Sequence, residues 1–118
     1  MDKNPQKFEN TVKSNQEQIQ KQSKQQKEIV FNSLVVKIND IKQYPIKAKR
    51  LRHEGVCSLS FDISKDGVVK NGYVKKESSS RFINGECKRL VSKLIGFKTQ
   101  SNSENFTLII PIVFSLVD

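Results

Sequence analysis

One histidine and two cysteines are the residues of this chain best suited to catalysis or metal binding. His53 lies in a basic stretch beside Glu54, and no recognisable nucleophile accompanies it, so we expect it on an exposed helix surface rather than in general-base catalysis. Three acidic residues on predicted strand or turn surfaces form no recognisable catalytic pair: Asp62, Asp66 and Glu77. With a single histidine, Cys57 and Cys87 cannot form a zinc site of ordinary spacing. The sequence therefore predicts a protein that is not an enzyme and holds no metal or cofactor.

The two cysteines have another use. Cys57 falls on the inner face of a predicted strand and Cys87 on the inner face of a predicted helix, so both are expected to point into the core. Buried reduced thiols are the usual state, and a disulfide is the alternative in an oxidising compartment. The sequence leaves both states open.

The net charge of +9 favours acidic surfaces, nucleic acid or anionic lipid as neighbours. A nucleic-acid binder is expected to expose aromatic side chains among basic residues on a sheet. Three phenylalanines instead fall on predicted core faces: Phe61, Phe106 and Phe114. Only Tyr73 is expected to be exposed among lysines, so the sequence predicts a basic, solvated face and no nucleic-acid partner. No run reaches the ~20 apolar residues that span a bilayer, so the chain as given is expected to be soluble.

The last stretch of the chain has the strongest strand pattern. Alternate residues are apolar, which is the period of a strand with one buried face: Phe106, Leu108, Ile110, Ile112, Phe114 and Leu116. Pro111 has no N–H to donate, so it predicts a position at the edge of the sheet. The unpaired backbone groups of a long apolar edge strand can pair with another chain, so such an edge is either covered or serves as a binding site. Two interpretations stay open: a neighbour or a second copy of the chain covers the edge, or an extended peptide docks on it.

Residues 1–27 are rich in Gln, Lys, Asn and Ser and are predicted to form a flexible linker, disordered or a frayed helix. Residues 28–118 are the predicted domain. Apolar content rises at Ile29, and the first helix has one apolar face at helical spacing: Val30, Leu34, Ile38 and Ile41. Tyr44-Pro45 marks a corner, because a residue that precedes proline avoids helical geometry. A second helix is predicted from Ile46 to Glu54, with Ala48 and Leu51 inward and Gly55 as its stop.

The period changes to two after Gly55, which predicts a strand to Ile63. Lys65-Asp66-Gly67 predicts a hairpin turn into a second strand, from Val68 to about Lys76, in which Gly72 indicates a bulge or a close contact. Ser78-Ser79-Ser80 is a candidate N-cap for a third helix that ends at Gly96. That helix has an apolar stripe: Ile83, Cys87, Leu90, Val91 and Leu94. The order α-α-β-β-α-β predicts an α+β domain with a small antiparallel three-stranded sheet and helices on one face.

Seven short motifs follow one another in this order: Gln43-Tyr44-Pro45, Ala48, Glu54-Gly55-Val56, Phe61-Asp62-Ile63, Asp66-Gly67-x-Val69, Ser78-Ser79 and Ile110-Pro111-Ile112-x-Phe114-x-Leu116. Together they resemble the TonB C-terminal domain family over about residues 29–117. Two features depart from the family's pattern. Gly72 stands where an apolar residue is usual, and the Trp and Pro common near the end of the last helix are replaced near residues 95–98.

The resemblance implies a periplasmic energy-coupling domain. The family is anchored in the inner membrane by an N-terminal helix, here absent from the chain, and is powered by a proton-channel complex. It reaches outer-membrane transporters for iron chelates (siderophores) and vitamin B12, and binds their TonB box by strand addition to the sheet edge.

Carried onto this chain, the resemblance implies a docking site on the last strand: Phe106, Thr107, Leu108, Ile109, Ile110, Pro111, Val113 and Ser115. It also implies a contact at the corner: Gln43, Tyr44 and Pro45. A glutamine that some members use two residues earlier is Ile41 here. The alternatives are an envelope scaffold that binds another periplasmic protein or the cell wall, and, less favoured, a small nucleic-acid binder.

Overall fold

The computed structural model describes residues 15–102 and 104–117, with side chains from residue 24 onward. Six elements follow in the predicted order: α1 (Asn15–Ile41), α2 (Ile46–Arg50), β1 (Gly55–Ile63), β2 (Val69–Lys76), α3 (Arg81–Leu94) and β3 (Phe106–Phe114). The three strands form one antiparallel sheet in the order β2-β1-β3. The predicted α+β class and element order are confirmed.

Three local signals are confirmed. Gly67 has a φ of +87° and its N–H donates to Ser64 O at 2.8 Å, which closes the turn between β1 and β2. Pro111 pairs with Ser58 of β1 and lies on the outermost strand, so its predicted edge position is confirmed. Gly72 faces the Phe61 ring, where an added β carbon would be 2.7 Å from Phe61 Cδ1. The glycine therefore makes room for a buried aromatic ring.

The core lies on one face of the sheet, under α1 and α3. The predicted apolar faces of four elements contribute buried side chains, among them Val30 and Leu34 of α1, Leu59 and Phe61 of β1, Leu90 and Leu94 of α3, and Ile110, Ile112 and Phe114 of β3. Toward the two ends of the last stretch, Phe106, Leu108 and Leu116 are half-buried. The register of the final strand is therefore as the alternation predicts.

The first helix begins earlier than its apolar stripe. It starts at Asn15, so residues 15–27 of the predicted linker are helical, while residues 1–14 lie outside the described residues. Gln, Lys and Glu are good helix formers, and extending a formed helix adds one hydrogen bond per residue. Val30, Leu34 and Ile38 are buried and Ile41 is half-buried, so the predicted apolar face of this helix is confirmed.

The second helix is shorter than predicted. It ends at Arg50, Leu51 is 60% exposed rather than inward, and the chain reverses at Arg52 with a φ of +57° rather than at Gly55. Ala48 is the only buried side chain of α2, so little packing supports a longer helix. Gly55 instead begins β1.

Candidate functional site

The outer edge of β3 is the first part of the candidate site. Lys42, on the loop after α1, donates from Nζ to the carbonyl oxygen of Val113 at 2.7 Å, which indicates that the main-chain groups of Val113 face away from β1. Alternate residues of a strand direct their main-chain groups to the same side. Thr107, Ile109 and Pro111 therefore also face the outer edge, which agrees with the missing N–H of Pro111.

The side chains of this outward set are exposed. Ile109 is 45% and Val113 54% exposed, and they lie on the sheet face opposite the helices. The predicted site residues Leu108 and Ile110 instead direct their main-chain groups toward β1 and their side chains toward the core. Phe106 begins the strand and is half-buried, and Ser115 lies just beyond its end. The edge thus offers outward main-chain groups at 107, 109, 111 and 113.

A groove of about 190 Å³ runs between α1 and the second half of β3. Val35 and Ile38 line it from α1, and Lys42 also lines it, with Nζ 4.9 Å from the Phe114 ring centroid. The lysine thus contacts the strand twice, through its hydrogen bond to Val113 O and through the aromatic face.

The corner between α1 and α2 is the second part of the candidate site, and α3 holds it. Glu86 is buried and accepts a hydrogen bond at 2.7 Å from the Gln43 backbone N–H. Arg89 donates to both Glu86 carboxylate oxygens, at 2.7 and 2.8 Å, and to the carbonyl oxygen of Ile41 at 2.7 Å. The hydrogen bond to Glu86 raises the pKa of Arg89 above its ordinary value. Two backbone groups of the corner are thereby fixed to α3.

Sequence reasoning missed Glu86 and Arg89. A signal was present, because Glu86 falls beside Cys87 within the apolar stripe of α3, and an acid with a base three residues later is an ion-pair spacing on a helix. A charged residue on a buried stripe needs a partner. The sequence does not say that the partner includes the backbone of Gln43, 43 residues away.

Tyr44 joins the corner to the end of β3. Its ring meets the Phe114 ring edge-on, with centroids 5.5 Å apart, and its hydroxyl donates to the carbonyl oxygen of His53 at 2.5 Å. Loss of solvent around the hydroxyl raises the pKa of Tyr44 above 10.0; Glu54 adds to the rise and Arg52 opposes it. The structure therefore brings the two predicted parts of the site, the corner and the last strand, into contact.

His53 does not lie on a helix surface, so that prediction is wrong. It follows α2, is half-buried, and its Nδ1 lies 2.9 Å from Ser80 Oγ. Its ring stacks on Phe82 with centroids 5.9 Å apart. Ser80 is the N-cap of α3, as predicted, and accepts from the Ile83 N–H at 3.3 Å. His53 thus acts as a packing and capping partner.

Cys57 and Cys87 are fully buried, as the sequence predicts, and the structure joins them in a disulfide between β1 and α3. Of the two states that the sequence left open, the disulfide is the one present. Within the described residues, no group of His, Cys, Asp and Glu is placed to hold a metal ion. Among the same residues, no helix combines the length and the apolar character that crossing a bilayer requires.

Comparison with known proteins gives a consistent result. The family described as Gram-negative bacterial TonB protein C-terminal matches residues 41–116. Two NMR solution structures of the Helicobacter pylori TonB C-terminal domain, a longer and a shorter version, are similar to the chain. The longer shares 26% identity over 72% of this chain and 78% of its own, with a TM-score of 0.58. The shorter shares 24% identity over 73% of this chain and 92% of its own, with a TM-score of 0.57. At this identity the likeness supports the fold and no more.

No curated protein sequence matches the chain. The family match covers more than half of the chain, includes both the corner and β3, and agrees with the fold. Members of the family are periplasmic in Gram-negative bacteria, transduce energy without catalysing a reaction, and interact with TonB-dependent outer-membrane transporters. The chain belongs to the TonB C-terminal domain family.

Proposed function

We propose that this chain is a periplasmic energy-coupling domain that docks onto TonB-dependent transporters by adding their TonB box as a strand to the outer edge of β3. The observation that carries the proposal is the row of outward main-chain groups on β3, flanked by exposed Ile109 and Val113, in a family that interacts with such transporters. The transported substrates would be iron chelates (siderophores) or vitamin B12.

The geometry limits how strongly a peptide could bind. Outward N–H donors are available at Thr107, Ile109 and Val113 but not at Pro111, and Lys42 already engages the Val113 carbonyl. At about 1 kcal/mol net for each hydrogen bond, less the cost of ordering the peptide, the edge alone gives weak to moderate affinity. Weak binding suits a coupler that must release its partner.

The corner adds a second contact in this proposal. Gln43, Tyr44 and Pro45 lie beside the C-terminal end of β3, because Tyr44 packs on Phe114. A transporter segment that leaves the strand at Val113 would therefore meet the corner next. The proposal also includes three features outside the domain. The protein would be anchored in the inner membrane, a proton-channel complex would supply its energy, and residues 1–27 would act as the linker.

An amide NMR titration of the full chain with a TonB-box peptide from a transporter of the same organism tests the proposal. We expect shifts concentrated at residues 106–115 and around Tyr44. Two peptides that differ only in the position of backbone N-methyl groups give a matched control. Methylation of the residues that face β3 should weaken binding about tenfold, and methylation of the alternate residues should have little effect.

Two outcomes would contradict strand addition. Equal loss of binding for both methylated peptides would mean that the contact is made by side chains. Absence of any shift at millimolar peptide would mean that the edge is occupied or unused, and sedimentation would then show whether a second copy of the chain covers it. Binding of another periplasmic protein or cell-wall fragments at β3 would favour the envelope-scaffold alternative.

A further inference from the structure

A groove on the α3 side of the corner is separate from the β3 edge. It lies between the start of α2 and the first turns of α3, has a volume of about 570 Å³, and is also lined by the corner residues Gln43, Tyr44 and Pro45. Ile46, which is 67% exposed, and the half-buried Phe82 give it an apolar floor. Beside them, a β carbon at Gly85 would meet no atom within 4 Å, so this side of the groove is open.

Two cations stand around this floor. Lys47 Nζ lies 5.8 Å and Arg81 Cζ 5.0 Å from the centroid of the Phe82 ring. Both are exposed, and within the described part of the chain neither pairs with a carboxylate. Glu86, the acid that lines the groove, is already bonded to Arg89 and to the Gln43 N–H. The groove therefore presents uncompensated positive charge next to apolar surface.

The charge of Arg81 is not stabilised by its own helix. It is the first residue of α3, where the positive end of the helix dipole disfavours a cation, and no acidic residue follows in the first turn. Ser80 already caps the helix. The guanidinium is thus free to meet an anion that approaches from solvent.

We propose that this groove binds an acidic segment of a partner protein that carries one bulky apolar side chain. The carboxylates would meet Lys47 and Arg81, and the apolar side chain would cover Phe82 and Ile46. Two cations around an apolar floor suit one short segment of this kind, whereas nucleic acid or an anionic bilayer gains affinity by summing many phosphate contacts over a broad basic face. The proposal does not depend on strand addition, because it uses α2 and α3.

The test is an amide NMR titration of the full chain with the peptide acetyl-Asp-Glu-Phe-Asp-Glu-amide. We expect shifts at Lys47, Arg81 and Phe82, and none along β3. The isosteric peptide acetyl-Asn-Gln-Phe-Asn-Gln-amide should bind far more weakly, and added salt should weaken the acidic peptide.

Matched charge variants make the test specific. The double substitution Lys47→Gln with Arg81→Gln should lower the affinity about fivefold or more. Lys49→Gln with Lys75→Gln removes the same charge from two exposed residues outside the groove and should leave affinity within about twofold.

Three results would overturn the proposal: no shift at the groove with millimolar acidic peptide, equal weakening in both double variants, or tighter binding of duplex DNA or of phosphatidylglycerol vesicles through the same residues. Tyr44 lines the groove and also contacts β3, so shifts at Tyr44 do not separate the two proposals. The amides of residues 106–115 report on strand addition and those of Arg81 and Phe82 report on the groove, so failure of one leaves the other readable. A lost response at residues 106–115 with an intact response at Phe82 would remove only strand addition.

Discussion

The two edges of the sheet differ in what they offer to another chain. Both β2 and β3 are outermost strands, but the start of β2 is covered, because Val69 exchanges backbone hydrogen bonds with Gly96 and Phe97. β2 carries exposed lysines, at positions 70, 75 and 76, which discourage another strand from pairing. β3 instead exposes Ile109, Pro111 and Val113 and has no charged residue. The two edges therefore differ both in charge and in cover by neighbouring backbone, and β3 is the one left open to a partner.

The edges are also supported differently. α3 packs over β2 and β1, and the Cys57–Cys87 disulfide ties that helix to the central strand. β3 is held by α1, by Lys42 and by the corner through Tyr44. α3 is therefore tied to the central strand by a covalent bond, whereas β3 depends on strand pairing, packing and hydrogen bonds.

The largest expected effect tests how β3 is held. Phe114→Ala removes a fully buried ring that packs on Tyr44, and should lower the free energy of unfolding by about 3 to 5 kcal/mol. Thr107→Ala on the same strand is the control, because its side chain is exposed and should change stability by less than about 1 kcal/mol. Chemical denaturation followed by circular dichroism measures both. Equal stabilities would contradict the register of β3.

Reduction of the disulfide should remove the covalent support of α3. The bridge joins residues 30 positions apart, so its loss should lower the free energy of unfolding by about 3 to 4 kcal/mol. Hydrogen exchange should rise more in α3 than in β3, because β3 keeps its pairing with β1 and its packing on α1. An equal loss of protection in α3 and β3 would show that the bridge supports both elements alike.

Glu86→Gln should loosen the corner and leave β2 unaffected. Arg89 would lose its carboxylate partner, and the Gln43 N–H would lose a charged acceptor. We therefore expect the free energy of unfolding to fall by about 1 to 3 kcal/mol. Glu77→Gln, at an exposed pair with Lys88, is the matched control and should cost less than about 1 kcal/mol. Amide shifts that spread beyond the corner into β2 would argue against a local clamp.

The prediction with the smallest effect on stability concerns the exposed lysines of β2 and tests whether their charge prevents pairing with another strand. Replacing Lys70, Lys75 and Lys76 by Thr should change the free energy of unfolding by no more than about 0.5 kcal/mol for each residue, because all three are exposed. The variant should nevertheless self-associate, since the uncharged edge can pair with another strand. Sedimentation velocity measures this. A monomeric variant at high concentration would mean that charge does not protect β2.

Local patterns predicted much of the fold and part of the site. The alternation in β3, the missing N–H of Pro111 and the Asp66-Gly67 turn depend on residues close together in the chain, and the structure agrees with each. The errors lie at element ends. α1 continues back to Asn15, and α2 stops at Arg50, because helix ends depend on how much packing supports them.

The contacts that complete the candidate site could not be predicted from the sequence, because they join residues far apart in the chain. Lys42 meets Val113, 71 residues away, and Arg89 meets Ile41, 48 residues away. The disulfide between Cys57 and Cys87 was one of two open alternatives. Such pairs follow from how α1 and α3 cross the sheet, which no local period encodes.

The sequence by itself determined the element order, the buried faces and the strand that forms the apolar edge, because side-chain periodicity and proline chemistry act within a few residues. The tertiary structure alone decided that α3 fixes the corner through Glu86 and Arg89, that Tyr44 joins the corner to Phe114, and that Lys47 and Arg81 meet around Phe82. Their positions depend on the packing of whole elements around one core, and distances of that kind are set only when the chain has folded.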